Sequence, residues 1–320
     1  MILVANAGSS SLKLSAVAED ESSIHVKSLA DAPAGVTAVA HRIVHGGRRF
    51  RDPVVVDDAV RGEIEALDEL APLHNAVQVK VIDDARRLLP DIPHVAVFDT
   101  AFHATVPDVA STYAVPQAWA RDWGIRRYGF HGLSVQWAAD QVRVPRLVVC
   151  HLGAGCSVTA VLEGVSVETT MGFSPLEGVP MATRSGSIDP AIPLFLIRTG
   201  RLAAEQVAQA LERESGLLGL SGASSRVEEL EPSDLSAAKL ALDVFCYRVA
   251  SAVASLAMPL GGLDAIVFTG GVGENSSAVR ESVCSRLAFL GVGTDAVAVH
   301  VIEAREDVVA AREARRVLAG

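Results

Sequence analysis

The chain has 320 residues, carries 38 acidic against 28 basic side chains for a net charge of −10, and is 50% hydrophobic. That length suits two domains with a sizeable core better than one, and the acidic balance excludes a broad basic surface for nucleic acid while leaving room for a local basic pocket. The four cysteines (Cys150, Cys156, Cys246 and Cys284) form no C-x-x-C pair and read as reduced core thiols of a cytoplasmic protein.

In chain order, "MILVANAGSS" has neither a basic n-region nor a long apolar h-region, so no signal peptide is expected. Strand-like runs fall at 2–5 and 12–17, the second alternating as "LKLSAV", and then at 36–45. Apolar spacing near 3.6 predicts helices over 57–70 and 76–89, followed by a strand at 94–99 and a helix at 133–142. Strands at 146–152 and 156–162 come next, then helices at 203–214 and 233–258. The most apolar long stretch, 249–268, is broken by Pro259, Gly261, Gly262 and Asp264, and so reads as a buried helix plus a strand (264–270) instead of a membrane span. A helix at 276–289 and a strand at 296–302 lead to a last helix at 305–318. That helix has Glu306 and Asp307 at its start and Arg315 and Arg316 at its end, as the helix dipole favours. One internal echo stands out: Ala7, Gly8 and Ser10 match Ala154, Gly155 and Ser157, each set joining two strand-like runs. A strand–turn–strand unit occurring once per half implies a duplicated domain with a cleft between the copies.

Several stretches carry chemistry. "NAGSSSLK" (6–13) has a glycine and small hydroxyls that let backbone N–H groups approach a phosphate, with Lys13 adding charge. It does not fit the P-loop pattern, because the lysine sits in a strand and not at a helix start. Arg42 lies inside an apolar strand, where an unpaired guanidinium is costly, so it must face either a buried carboxylate or a cleft. Asp99 ends a strand, where α/β sheets display functional groups, although a lone Asp there could equally cap a helix. "RRYGFHGLS" (126–134) and "GFSPLEGVPMATRSGSIDP" (172–190) hold His131 and Arg184 among turn residues, in the manner of active-site loops. "VFTGGVGENS" (267–276) is a buried strand, a Gly-rich turn suited to close approach by a nucleotide, and a helix start with Asn275 and Ser276 as caps.

In order along the chain, "NAGSSSLK", "HRIVHGG", "PLHN", "FDTAFH", "YGFHG", "HLGAG", "TRSGSIDP" and "TGGVGENS" resemble the acetate kinase family, within the superfamily shared by sugar kinases, actin and heat-shock ATPase domains. The resemblance implies an α/β fold of two ribonuclease-H-like (actin-like ATPase) domains with a cleft between them. The first would comprise 1–101 plus a returning C-terminal helix at 307–320, and the second, nucleotide-binding, would comprise 102–306. It also implies reversible transfer of the ATP γ-phosphoryl group to acetate or propionate, with Mg2+ or Mn2+, in a cytoplasmic homodimer that has no nucleic-acid or membrane partner. Asp99, His131 and Arg184 match the family's catalytic positions. Arg42 would bind substrate, and Val44, Leu73, Phe130 and Pro175 would enclose its short acyl chain. Asn6 and Glu306 match the metal-site positions, Glu306 within the loose terminal motif "VIEARED". Lys13, His151, Leu152, Gly153, Ala154 and Gly155 would hold the nucleotide phosphates, and Gly271, Val272, Gly273, Glu274 and Asn275 would approach the adenosine.

The chain departs from the family in three ways, one being that Ala154 replaces a frequent Asn and Ser187 a frequent Asp. It is shorter, mainly over 17–36 and 276–300. Where the family carries Asp-Phe-Arg for the ribose and adenine, this chain has Arg226, Val227 and Glu228. That exchange leaves open another nucleoside triphosphate, or pyrophosphate, as phosphoryl donor. The residues also leave open a non-acyl ATPase or a sugar kinase of the same superfamily.

Overall fold

The structure is a computed structural model and describes residues 1–7, 12–69 and 75–320. The chain separates into two compact units, one of residues 1–104, 115–137 and 305–320, the other of 105–114 and 138–304.

The first unit is built on a six-stranded sheet of β1 (Ile2–Ala7), β2 (Leu12–Val17), β3 (Ser23–Val26), β4 (Ala38–Ile43), β5 (Val54–Val55) and β6 (His94–Phe98), in the order β3-β2-β1-β4-β6-β5. Its helices include α1 (Asp58–Ala66) and α2 (Asn75–Leu88). In the second unit β7 (Arg146–Leu152), β8 (Cys156–Leu162), β9 (Val165–Thr169), β10 (Ala265–Thr269) and β11 (Ala298–Val301) lie in the order β9-β8-β7-β10-β11. Three antiparallel strands therefore lead into two parallel ones in each unit, since β1 pairs parallel with β4 and β4 with β6, as β7 does with β10 and β10 with β11. The Ala-Gly-x-Ser echo coincides with this repeat: in sequence each copy falls where the first of two antiparallel strands, β1 or β7, gives way to the second.

The central strands are buried on both faces, which is why "ILVANA" and "HVAVF" read as continuous apolar runs. Their period of two still sorts side chains by face. Val95 and Val97, with Ile2, Val4, Ala38 and Ala40, pack against Val308, Val309, Ala310, Ala311 and Ala314 of the C-terminal helix. Ala96 and Phe98 face Ile64, Val79 and Ile82 of α1 and α2, and the Phe98 ring stacks on Phe50 at 4.7 Å between centroids. Asp57 caps α1 by accepting from the Val60 N–H at 2.7 Å. The C-terminal helix (Glu306–Ala319) opens with Glu306 and Asp307, as expected.

Several features differ from the sequence expectations, among them short helices at Asp108–Ser111, Gln117–Trp123, Gly216–Ser221 and Val227–Leu230. Strands β3 and β5, of four and two residues, are too short to show a period, and β9 ("VSVET") has only two apolar residues. The helix Ala191–Arg198 holds Pro193. In the first turn a missing N–H leaves no bond unmade, so the proline starts this helix where it would break another. The Gly-rich turn of 270–275 is itself a short helix, followed by Ser277–Arg286 with Ser276 as its cap. Finally, residues 102–104 and 115–137, with Arg305 and Glu306, belong to the first unit and not the second. The reason is packing: Leu133 joins the core beneath the C-terminal helix, and the Gly132 N–H donates to the Asp99 carbonyl at 3.0 Å. The apolar stretch at 249–268 forms the end of the helix Ser236–Leu260 and then β10. By length and composition that helix could cross a membrane, but its buried face packs on the second sheet.

Candidate active site

Parallel pairing brings the C-terminal ends of β1, β4 and β6 side by side, the place where open α/β sheets bind ligands. Asn6 lies opposite Arg42 in the β1/β4 register, and the Asp99 N–H donates to Ile43 O at 2.9 Å just past the β4/β6 ladder. Arg42 Nε donates to Asp99 Oδ1 at 2.9 Å, its Nη2 donates to Oδ2, and its Nη1 donates to Asn6 Oδ1 at 2.8 Å. Glu306, the first residue of the C-terminal helix, accepts from Asn6 Nδ2 at 3.1 Å and lies 3.5 Å from Arg42 Nη1. The choice left open for Arg42 resolves toward a buried carboxylate, since Asp99 is 1% exposed.

The electrostatics follow from that burial. Burial pushes the Asp99 carboxyl up from its ordinary value, and the Arg42 guanidinium opposes the rise. Burial alone would lower Arg42, but Asp99 and Glu306 outweigh it and hold the guanidinium charged. Two carboxylates and an amide thus surround one planar cation, a set of hard oxygen donors beside a fork that matches carboxylate or phosphate.

His131 is anchored to the same cluster through its backbone, whose N–H bonds to the Asp99 carboxylate. Its φ of 60° lies in the left-handed region, which a histidine rarely adopts. Gly132 is needed for a different reason: a Cβ there would sit 2.2 Å from Asp99 O. Phe130 is fully buried, its carbonyl accepts from His103 Nε2 at 2.9 Å, and its ring meets His45 edge-on at 5.4 Å. Val44, next to His45, is also buried. Leu73 lies outside the described residues, as does the turn between Ala7 and Leu12. Lys13 is exposed and pairs across that hairpin with Asn6.

In the second unit, His151 and Leu152 end β7, and Gly153, Ala154 and Gly155 form the turn into β8, closed by Gly153 N–H to Gly155 O at 3.0 Å. Gly271 lies beside this turn: a Cβ on Gly153 would come within 3.8 Å of Gly271 N. Gly270 is confined to glycine, with φ of 77° and only 2.8 Å between a would-be Cβ and Leu152 O. The two Gly-rich segments, far apart in sequence, therefore share one surface. Val272 and Gly273 continue the short helix, and Asn275 Nδ2 donates to Gly271 O at 2.8 Å. Glu274 accepts from Gly270 N at 2.8 Å and Ala304 N at 3.0 Å, so its carboxylate ties the segment together.

Arg184 Nη1 donates to Pro175 O at 3.1 Å, so two residues singled out nine positions apart meet within one loop. That loop rests on the β7–β8 turn through Ala182 N–H to Ala154 O at 3.3 Å, and burial lowers Arg184 from its ordinary value. Arg226 and Glu228 bond to one another, Nε to Oε1 at 2.8 Å, on an exposed surface. Val227 between them is buried, so its side chain is packing and is not presented to a ligand. Sequence reasoning missed Gln78 and Thr100, buried polar residues that hold backbone near the first cluster. Gln78 could have been found as a polar residue on the apolar face of α2.

The acetokinase family model matches residues 16–319. Acetate kinase 2 of Listeria monocytogenes is 48% identical over 272 residues, covering 81% of this chain and 68% of that protein. The acetate kinase of Deinococcus deserti is 45% identical over 315 residues, covering 89% of this chain and 79% of its own length. Among solved structures, a propionate kinase from Francisella tularensis superposes with a TM-score of 0.91 at 33% identity, covering 98% of both chains. The two sheets are two ribonuclease-H-like units of the actin-like ATPase fold, and the chain belongs to the acetokinase family.

Proposed function

We propose that this protein is an acetate kinase that transfers the γ-phosphoryl group of ATP reversibly to acetate, and to propionate as a second acceptor. The observation that carries this is the Asn6–Arg42–Asp99–Glu306 cluster at the ends of three parallel strands. A carboxylate acceptor is already a nucleophile and needs no strong base, so catalysis is positioning and neutralisation of charge. Arg42 and Arg184 offset the repulsion between two anions, and His131 donates to the phosphoryl oxygens. His151–Gly155 and Lys13 hold the donor's phosphates, with the Gly271–Asn275 segment toward the nucleoside. Val44, Leu73, Phe130 and Pro175 enclose the acyl chain.

The family implies a divalent cation. The oxygen donors of Asp99, Glu306 and Asn6 fit Mg2+, which takes one or two carboxylates and fills its shell with water and phosphate. When bound, it neutralises charge on the donor's phosphates.

The test is acyl phosphate, trapped as hydroxamate, alongside ADP release, with acetate, propionate and butyrate as acceptors. Equal turnover without any acid, or a preference for butyrate, would overturn the proposal. Gly132→Ala is expected to lower kcat about 10²-fold, because its Cβ must push Asp99 and His131 by about an ångström. Wild-type kcat in that variant would show that the Asp99–Gly132 contact does not position the reaction.

A broader donor range is favoured by one observation: Arg226 and Glu228 neutralise each other and Val227 is buried. Grip on the donor then rests on its phosphates. Kinetics with ATP, GTP, CTP and pyrophosphate at fixed acetate test this, and a strong ATP preference unchanged by Arg226→Ala and Glu228→Ala would exclude it.

The partner proposed is a second copy of the chain. The helix Ala191–Arg198 has no buried residue, yet it carries Ile192, Leu194, Phe195 and Ile197, all exposed. A helix apolar on every side needs a cover, and Leu240, Tyr247 and Met258 on the longest helix are exposed as well. Leu194→Asp with Phe195→Asp is expected to halve the mass seen by light scattering, and an unchanged mass would place the interface elsewhere. A cytoplasmic site is proposed from the thiols: Cys150 and Cys156 are buried and unpaired, and burial pushes Cys156 up to about 12.

A further inference from the structure

We propose that Gln78 is a positioning residue that sets the spacing between the metal-site strand and the acyl-pocket strand. The β1/β4 ladder ends at the Asn6–Arg42 pair. Beyond it β4 runs on to Val44 and the His45–Gly47 turn, which Gly47 N–H closes onto His45 Nδ1 at 2.9 Å. Two backbone groups are left there without a ladder partner, the Ala7 carbonyl and the Val44 N–H. Gln78, on the first turn of α2 and only 2% exposed, supplies both. Its Oε1 accepts from Val44 N at 3.0 Å and its Nε2 donates to Ala7 O at 3.1 Å. The carboxamide does what one more peptide unit of a strand would do, but with a side chain's reach, so the strand ends stay apart and still fixed.

What it fixes is functional under the proposed reading, on which this inference rests. Ala7 follows Asn6 and leads into the phosphate hairpin, and Val44 follows Arg42 by two residues and walls the acyl pocket. One side chain therefore couples the phosphate side of the site to its acceptor side. Asn75, which opens α2, adds a bond from Nδ2 to His45 O at 3.3 Å, so the start of that helix serves as the brace. Gln78 reaches no reacting atom and acts only through Ala7 and Val44.

Two near-isosteric variants separate this role from plain stability. Gln78→Met removes both bonds. It is expected to lower kcat/KM for acetate about 10²-fold and to shift the propionate-to-acetate ratio at least about threefold, because Val44 is released. Gln78→Glu keeps the acceptor for Val44 and loses the donor to Ala7. Protonation restores that donor as a carboxyl O–H, so the activity of Gln78→Glu relative to wild type should climb as pH falls from 8 to 6. A residue with a structural role alone would lower the melting temperature and leave both the acceptor ratio and this pH profile unmoved, and that result overturns the proposal. Amide hydrogen exchange on Val44 supplies a readout independent of activity: it should accelerate in Gln78→Met and stay slow in Gln78→Glu. If wild type makes no acyl phosphate, the functional reading fails by that assay, and Val44 exchange still decides whether the clamp exists. Unchanged exchange in Gln78→Met overturns it.

Discussion

Arg42→Ala is expected to lose about 10²–10³ in kcat, the usual loss when one positioned donor is removed from a transition-state charge. It should also melt well below wild type. The guanidinium makes two bonds to a carboxylate that is 1% exposed, and it bonds to Asn6 besides. Removing one partner of such a pair strands the other, at a cost of about 3–5 kcal/mol. The two effects separate in the double variant Arg42→Ala with Asp99→Asn, where the stranded charge is gone. That variant should recover most of the melting temperature and none of the activity. Arg42→Lys should fall between, since an ammonium cannot span both Asp99 oxygens and Asn6 together. Near-wild-type turnover in Arg42→Ala would remove Arg42 from the reaction, and an unchanged melting curve would mean that the ion pair contributes nothing net.

The second large effect is acid lability from buried histidines. His41 Nε2 and His94 Nδ1 lie 3.0 Å apart, and His94 Nε2 donates to Leu89 O at 3.1 Å. That donation leaves His94 Nδ1 as the acceptor, so His41 carries its proton on Nε2. Burial pushes His41 down to about 3, aided by His94, and pushes His103 down to about 4. His94 is lowered as well, again mainly by burial. The unfolded chain takes up these protons near 6.5, where the folded chain does not. Stability is therefore full above about 6.5 and falls with pH until the folded values are reached. By pH 5 His41 and His103 each remove about 2 kcal/mol, at 1.36 kcal/mol per unit. Melting temperature should drop steadily between pH 6.5 and 5. His41→Leu should flatten that slope, whereas a slope identical to wild type would show that His41 is protonated without penalty in the folded protein.

The sequence by itself determined most of the long elements and, through the motif order, the family and the residues proposed for its site. The long strands and helices were legible because burial on one or both faces writes a period of two or 3.6 into the chain, as in "HVAVF" and the C-terminal helix. The Ala-Gly-x-Ser echo was legible because each copy lies in sequence between corresponding antiparallel strands of its sheet. Arg42 announced itself by being charged within an apolar strand, and the motif order carried the family. The edge strands β3, β5 and β9 were not legible, being very brief or poor in apolar residues, and a helix with Pro193 in its first turn looks like a loop until that turn is seen to need no N–H there. Which partner Arg42 takes was decided by tertiary structure alone. Asn6, Asp99 and Glu306 come from strand ends and a helix start separated by up to 300 residues, and parallel pairing brings the strand ends together. The place of 115–137 was likewise decided by packing, since Leu133 is an apolar residue that would suit either core until Gly132 meets the Asp99 carbonyl. Gln78 shows the same limit most simply: as a letter it is one polar residue on a helix, and only the end of the β1/β4 ladder gives its two ends something to hold.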